Sequence, residues 1–194
     1  ANFLVDTGES KILVDCGLRQ GSRFAGEENA KPFAYDPASV DALFITHAHA
    51  DHIGRVPKLV RDGFRGKIYA TPPTKDLAAI MLRDSYRVMT EESRELGIPP
   101  LYDLEDIDRA LAHCIGVSYN TPFDIADGIE AEFRNSGHIL GSAIVCLRRN
   151  KKNLVFTGDV GNIPQPLLDA PDAPTDATYM VIESVYGNRV HEHM

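Results

Sequence analysis

The chain has 194 residues, of which 43% are hydrophobic and 25% charged, with 15 Gly, 12 Pro and 3 Cys. That balance excludes a disordered chain, a collagen-like repeat and a disulfide scaffold, and it suits one domain or two small ones. A formal charge of −8 argues against a whole-surface electrostatic grip on nucleic acid, while leaving room for a local basic cleft or for carboxylates that hold a cation.

The chain opens at Ala1, and Asn2 to Asp6 has neither a basic start nor a long apolar stretch, so no signal peptide is visible. No apolar run reaches the length of a membrane span. Phe3-Leu4-Val5 and Lys11-Ile12-Leu13-Val14 flank Thr7-Gly8-Glu9-Ser10 and predict a hairpin. Cys16, Cys114 and Cys146 form no C-x-x-C pair. They read as free thiols in a reducing compartment, and the cytoplasm is the expected location. Gly17 to Asp36 is polar and glycine-rich and reads as a loop. Ala42 to Ile45 predicts a buried strand, Gly54 to Arg61 a short helix with Pro57 near its start, and Ile68 to Ala70 another strand.

Thr71-Pro72-Pro73 signals the start of a long helix, with Leu77, Ile80, Met81, Asp84 and Val88 at helical spacing and Gly97-Ile98-Pro99-Pro100 as its stop. A second helix is expected over Leu104 to His113, with Leu104, Ile107, Ala110 and Leu111 on one face. Strands follow at Ile115 to Val117, Ile129 to Phe133, Ala143 to Leu147, Leu154 to Phe156 and Met180 to Ile182. The order strands, helices, strands suits an α/β fold of layered sheets better than a bundle or a pure β sandwich.

The sharpest feature is Thr46-His47-Ala48-His49-Ala50-Asp51-His52-Ile53-Gly54, where three of the chain's 7 histidines stand beside an aspartate. It follows directly on a strand, at the kind of edge where α/β folds place chemistry. Imidazole and carboxylate are ligands of zinc and its relatives, and a mixed set without thiolates matches an open, catalytic site. His47 and His49 share one side of an extended segment, leaving Asp51 and His52 to face elsewhere, so the run has enough donors for two ions. His138 in Asn135-Ser136-Gly137-His138-Ile139-Leu140-Gly141-Ser142 would alone read as a structural histidine, and Asp159 in Thr157-Gly158-Asp159-Val160-Gly161 as a turn residue. Their shared placement just beyond a strand, repeated by Asp15 after Ile12-Leu13-Val14, marks all three as candidates.

The string His47-x-His49-x-Asp51-His52 resembles the signature of the metallo-β-lactamase fold, and Asp15, His138 and Asp159 fall in the order of that superfamily's other motifs. Gly137 to Ser142, Thr157-Gly158-Asp159 and Glu183-Ser184-Val185-Tyr186-Gly187 resemble motifs of its β-CASP nuclease branch, with Val185 where Thr is usual. The resemblance implies an αββα sandwich, incomplete at both ends. It makes residues 1–194 a truncated domain, with the β-CASP insertion beginning after about 187 and absent. It implies one zinc on His47, His49 and His138, a second on Asp51 and His52, and Asp159 bridging them, with manganese or iron suited to the same donors. Asp15 would hydrogen-bond a ligand imidazole, and Asp51 and Glu183 would serve catalysis. The implied activity is hydrolysis of a phosphodiester in RNA, or DNA, by a hydroxide shared between the metals. Two other readings stay open, a small-molecule hydrolase of the same fold and a non-catalytic scaffold in a processing complex. His191 and His193 are the remaining candidates for a further ligand and a general acid. With no other histidine after Glu183, weak or no cleavage is expected from these 194 residues alone.

Overall fold

The structure is a computed structural model that describes residues 1–21, 25–97, 99–126, 128–163, 166–185 and 187–188. His191 and His193, the candidates for a further ligand and a general acid, and Tyr186 lie outside the described residues.

Strands β1 (Phe3–Asp6), β2 (Lys11–Val14), β3 (Ala42–Phe44), β4 (Lys67–Ala70) and β5 (Cys114–Gly116) form one sheet in that order. The β1–β2 hairpin is antiparallel, and β2 to β5 are parallel. The second sheet runs β10-β9-β8-β7-β6. Its strands are β6 (Phe123–Ala126), β7 (Ile129–Asn135), β8 (Ala143–Arg149), β9 (Lys152–Phe156) and β10 (Tyr179–Val181), with β10 alone parallel to its neighbour.

The two-residue period of a strand sorts the side chains between layers. Ile12, Val14, Ala42 and Phe44 face Ala131, Phe133, Val145, Leu147 and Phe156 across the sheet-to-sheet core. Leu13, Leu43 and Ile45 point the other way, toward Leu59, Val60, Leu82 and Ile107 of the helices. The parallel strands are therefore buried on both faces, which is why they read as continuous apolar runs. Phe44 anchors the inner layer, with ring centroids of Tyr69 at 5.2 Å and Phe133 at 5.8 Å. The outer face of the second sheet carries Ile144, Cys146 and Val155 packed with Ala177, and no helix covers it among the described residues.

The helices depart from the sequence expectation in four ways. A short helix, α1 (Ala25–Ala30), lies in the predicted Gly17–Asp36 loop, and the Asn29 side chain pins it by exchanging two hydrogen bonds with the Arg19 backbone. The helix expected from Gly54 starts earlier, as α2 (Ala50–Ile53), and resumes as α3 (Val56–Arg61). The long helix α4 (Pro72–Leu96) buries Ala78 and Leu82, leaving Ile80 and Val88 exposed. In α5 (Leu104–Ala112) a reciprocal Asp103–Asp106 capping box opens the helix. Ile107 and Ala110 are buried there, whereas Leu104 in the first turn faces out. Strand β6, after Pro122, was not expected at all. No described helix is long and apolar enough to cross a membrane, and all three cysteines are buried and free.

Candidate metal centre

Five strand ends supply the site. Asp15 follows β2, Thr46 to His49 follow β3, His138 lies beyond β7, Asp159 beyond β9 and Glu183 beyond β10. The start of α2 at Ala50 sets Asp51 and His52 on a helical turn next to His49.

His47, His49, His138 and Asp159 each present one donor atom, and these four atoms lie within 4.8 Å of one another. His47 Nε2 is 3.0 Å from His49 Nδ1, and His138 Nε2 is 3.3 Å from the same atom. Asp159 Oδ2 stands 3.8 Å from His47 Nε2 and 3.6 Å from His138 Nε2. A tetrahedral ion with nitrogens at about 2.0–2.1 Å separates its ligands by about 3.3 Å, so three nitrogens and one oxygen in this arrangement fit a divalent cation. Facing imidazole lone pairs repel one another without a shared proton or a cation between them, which points the same way.

The other oxygen of Asp159 turns to a second group. Oδ1 is 3.3 Å from His52 Nε2, and Asp51 Oδ2 is 3.7 Å from that nitrogen. The Asp51 side chain is 46% exposed, at the mouth of a cleft of about 230 Å³ that it shares with Asp15, His52, Asp159 and Glu183. Residues from both sheets thus meet on Asp159.

Two buried residues behind the donors fix the imidazoles. Asp15 accepts from Thr46 N at 2.8 Å, Thr46 Oγ1 at 2.8 Å and His52 Nδ1 at 2.7 Å. A carboxylate only accepts, so the Thr46 hydroxyl proton points at Asp15 and His52 carries a proton on Nδ1. The Thr46 oxygen then accepts from His47 Nδ1, 3.1 Å away. Both rings are left with Nε2 directed at the site. Thr46 was not singled out in the sequence, although a hydroxyl immediately before His47 was there to be seen.

The His138 and Asp159 loops approach each other backbone to backbone. Gly161 N donates to Ser136 O at 2.9 Å, and a Cβ on Gly161 would lie 1.8 Å from Gly137 O, so no other residue fits there. Glu183 is bonded to the Asp159 loop rather than aimed at the donors. Its Oε1 accepts from Val160 N at 2.7 Å and its Oε2 from Val185 N at 3.3 Å.

Burial, reinforced by the charge on His52, pushes His47 down to about 2. Burial also opposes a charge on His52, but its bonds to Asp15 and Asp159 outweigh that and raise it to about 9. The His52 hydrogen bond, partly offset by burial, holds Asp159 at about 2. These shifts make the metal-free protein pH-sensitive on both sides. His52 stabilises the fold fully below its ordinary 6.5, and that contribution is lost as pH rises through about 9. His47 stays neutral in the fold while the unfolded chain takes up a proton, so stability falls as pH drops below 6.5 toward about 2. The melting temperature in a chelator is therefore expected to peak near 6.5. A profile that rises steadily from about pH 6 to about pH 9 would contradict the assignment.

The family described as metallo-beta-lactamase superfamily domain matches residues 4–184. Ribonuclease TTHA0252 of Thermus thermophilus is 38% identical over 188 residues, which is 97% of this chain and 41% of that protein. Transcription termination factor FttA of Methanosarcina mazei is 39% identical over 194 residues, 96% of this chain and 29% of that protein. The chain thus spans less than half the length of these relatives. Among solved structures, the metallo-beta-lactamase fold protein YhfI of Bacillus subtilis aligns with a TM-score of 0.48 at 17% identity, over 82% of this chain and 54% of its own.

Proposed function

The chain belongs to the metallo-beta-lactamase superfamily, and we propose that it is the metal-binding domain of a β-CASP-type nuclease that hydrolyses phosphodiester bonds in RNA. The carrying observation is the double use of Asp159, with one oxygen toward His47 and His138 and the other toward His52. In this reading His47, His49 and His138 hold one divalent cation, Asp51 and His52 a second, and Asp159 serves both. The nitrogen-rich donors favour zinc over magnesium or calcium, with manganese or iron as rivals. Cations so held supply Lewis acidity, lowering the pKa of water and drawing charge from a phosphoryl oxygen.

The protein's own residues do the rest. Asp51, at the cleft mouth, accepts a hydrogen bond from the attacking water and orients it. Asp15, through Thr46 and directly, keeps the His47 and His52 rings turned toward the site. Glu183 holds the Asp159 loop in register through Val160 N. RNA rather than DNA is favoured by the names of the relatives, a ribonuclease and transcription termination factors. Both are more than twice as long as this chain, so cleavage is proposed for the protein that contains this domain. Its buried free thiols suit the cytoplasm.

The test combines elemental analysis with cleavage of labelled RNA and DNA by that protein. About two zinc per chain, with RNA cleavage abolished by a chelator, is the expected result. His138→Ala should lower zinc content and cut the rate by more than about 100-fold, since loss of a ligand exceeds loss of its hydrogen-bond partner. Zinc content unchanged in His138→Ala would refute the ligand assignment. Turnover of thioesters or β-lactams without nuclease activity would move the function to the small-molecule branch.

A further inference from the structure

Thr71 and Thr74 lie outside the donor set, yet both hydroxyls are engaged with the loop that carries His138. Thr71 Oγ1 donates to the Gly141 carbonyl at 2.6 Å, and Thr74 Oγ1 donates to the same oxygen at 2.8 Å. Both residues are buried, at 1% and 0% exposure. Thr71 also caps α4 by accepting from Thr74 N, but at 3.3 Å this is the longest of the three bonds. A helix cap needs one hydroxyl. Here two are present, and their shorter bonds reach across 70 and 67 residues.

The contact is tight as well as polar. A Cβ on Gly141 would lie 2.6 Å from Thr74 N and 2.9 Å from Pro73 Cβ, and φ there is +83°. The Gly141 carbonyl is thus seated on the N-terminus of a 25-residue helix, whose dipole favours an oxygen. Pro72 and Pro73 bring no N–H to this end, and Thr74 N is taken by Thr71 Oγ1, so the two hydroxyls are the donors that reach the carbonyl. One residue on, Ser142 Oγ accepts the N–H of His138 at 3.0 Å and of Ile139 at 3.1 Å. Ser142 gives the turn its internal shape, while Thr71 and Thr74 fix where the turn sits against the helical layer.

We infer that Thr71 and Thr74 are positioning residues for His138: by holding the Gly141 carbonyl they set where the His138 imidazole meets His49 and Asp159. This rests on the reading of His138 as a metal ligand. The helix they open belongs to the first sheet's layer, whereas His138 follows a strand of the second. The two hydroxyls therefore register the second sheet's ligand against the His47–His49 segment of the first. They act beside two further bonds at the end of the loop, Ala143 N to Thr46 O at 2.7 Å and the Tyr119 hydroxyl to Ser142 O at 2.8 Å, so without them the His138 turn keeps its shape and loosens against the helical layer.

The experiment uses the full-length protein and three variants, Thr74→Val, Thr71→Val/Thr74→Val and Thr74→Ser. Zinc is titrated against a competing chelator, and melting in a chelator without zinc checks the fold. Thr74→Val is expected to bind zinc on the order of tenfold more weakly, and the double variant more weakly again, with Thr74→Ser close to the parent. Parent-like zinc affinity in both valine variants would overturn the inference. Equal weakening in Thr74→Ser and Thr74→Val would also overturn it, because the methyl group and not the hydroxyl would then be responsible. If Thr74→Val does not fold, Thr71→Val, which leaves the Thr74 bond in place, is judged by whether zinc affinity falls or holds. A parent protein that binds no zinc refutes the ligand reading itself, before any variant is compared.

Discussion

Asp159→Ala is expected to remove most of the metal-binding capacity and nearly all of the hydrolysis. Its carboxylate is the only anion in the tight four-residue group with His47, His49 and His138. Its other oxygen, Oδ1, lies 3.3 Å from His52 Nε2. The His52 bond holds it far below the usual carboxylate range, at about 2, so it is fully charged at any working pH. Removing it leaves a cation among neutral imidazoles and takes away the one group shared by both halves of the site. The expected result is a fall from about two zinc per chain to one or fewer, and a rate loss of roughly 10³-fold, about 4 kcal/mol on the barrier. Asp159→Asn keeps the shape and loses the charge, and should fail almost as badly. Asp176→Ala is the control, since that half-exposed carboxylate pairs with Arg148 on the outer face of the second sheet. If Asp159→Ala and Asp176→Ala retain the same zinc content, the shared-carboxylate reading is wrong.

What could be read ahead of the structure follows the range of the interactions. His47, His49, Asp51 and His52 are local in sequence, and their clustering survives folding because one strand end and one helical turn contain them all. Asp15, His138 and Asp159 were legible because each ends a strand that was itself visible as an apolar run. Thr46 was overlooked because its role appears only when Asp15, 31 residues earlier, closes on it. Thr71 showed its capping half alone, since the Gly141 carbonyl is 70 residues away. Helix α1 escaped because nothing periodic marks it: it is held by Asn29 bonding the Arg19 backbone. The early start of α2 escaped because His49 at its N-cap makes no side-chain cap bond, so the usual signal is missing. Strand β6 pairs with β7 through a register shift between Asp124 and Ala126, which breaks the alternation that would have revealed it.

Asp15 carries the largest expected effect on stability, and its two obvious substitutions should separate folding from metal binding. It is 1% exposed and accepts three hydrogen bonds. Asp15→Ala removes the acceptor of Thr46 N, Thr46 Oγ1 and His52 Nδ1 in a buried site. Thr46 Oγ1 is 3.3 Å from His52 Nδ1 and can accept its proton, which leaves about two donors unsatisfied at about 1–3 kcal/mol each. The Asp15 backbone also has φ +59°, a conformation that alanine adopts at a cost of about 1 kcal/mol more than aspartate or asparagine. A loss of about 3–7 kcal/mol in denaturant unfolding of the metal-free protein is expected, enough to unfold a domain of marginal stability. Asp15→Asn tolerates the same backbone and keeps one acceptor oxygen, so it should fold with a smaller loss. The amide has only one oxygen for the two hydrogens, from Thr46 Oγ1 and His52 Nδ1, that now converge on Oδ2. If its NH₂ group faces His52, Nδ1 must accept instead of donate, and the ring proton moves to Nε2, toward Asp159 and the position a cation would take. A folded Asp15→Asn protein should then hold the second zinc at least about 10-fold more weakly, while the His47–His49–His138 group keeps the first. Parent-like binding of both ions by Asp15→Asn would mean that the carboxylate stabilises the fold without setting the His52 tautomer, and Thr46 alone would be left to orient the rings.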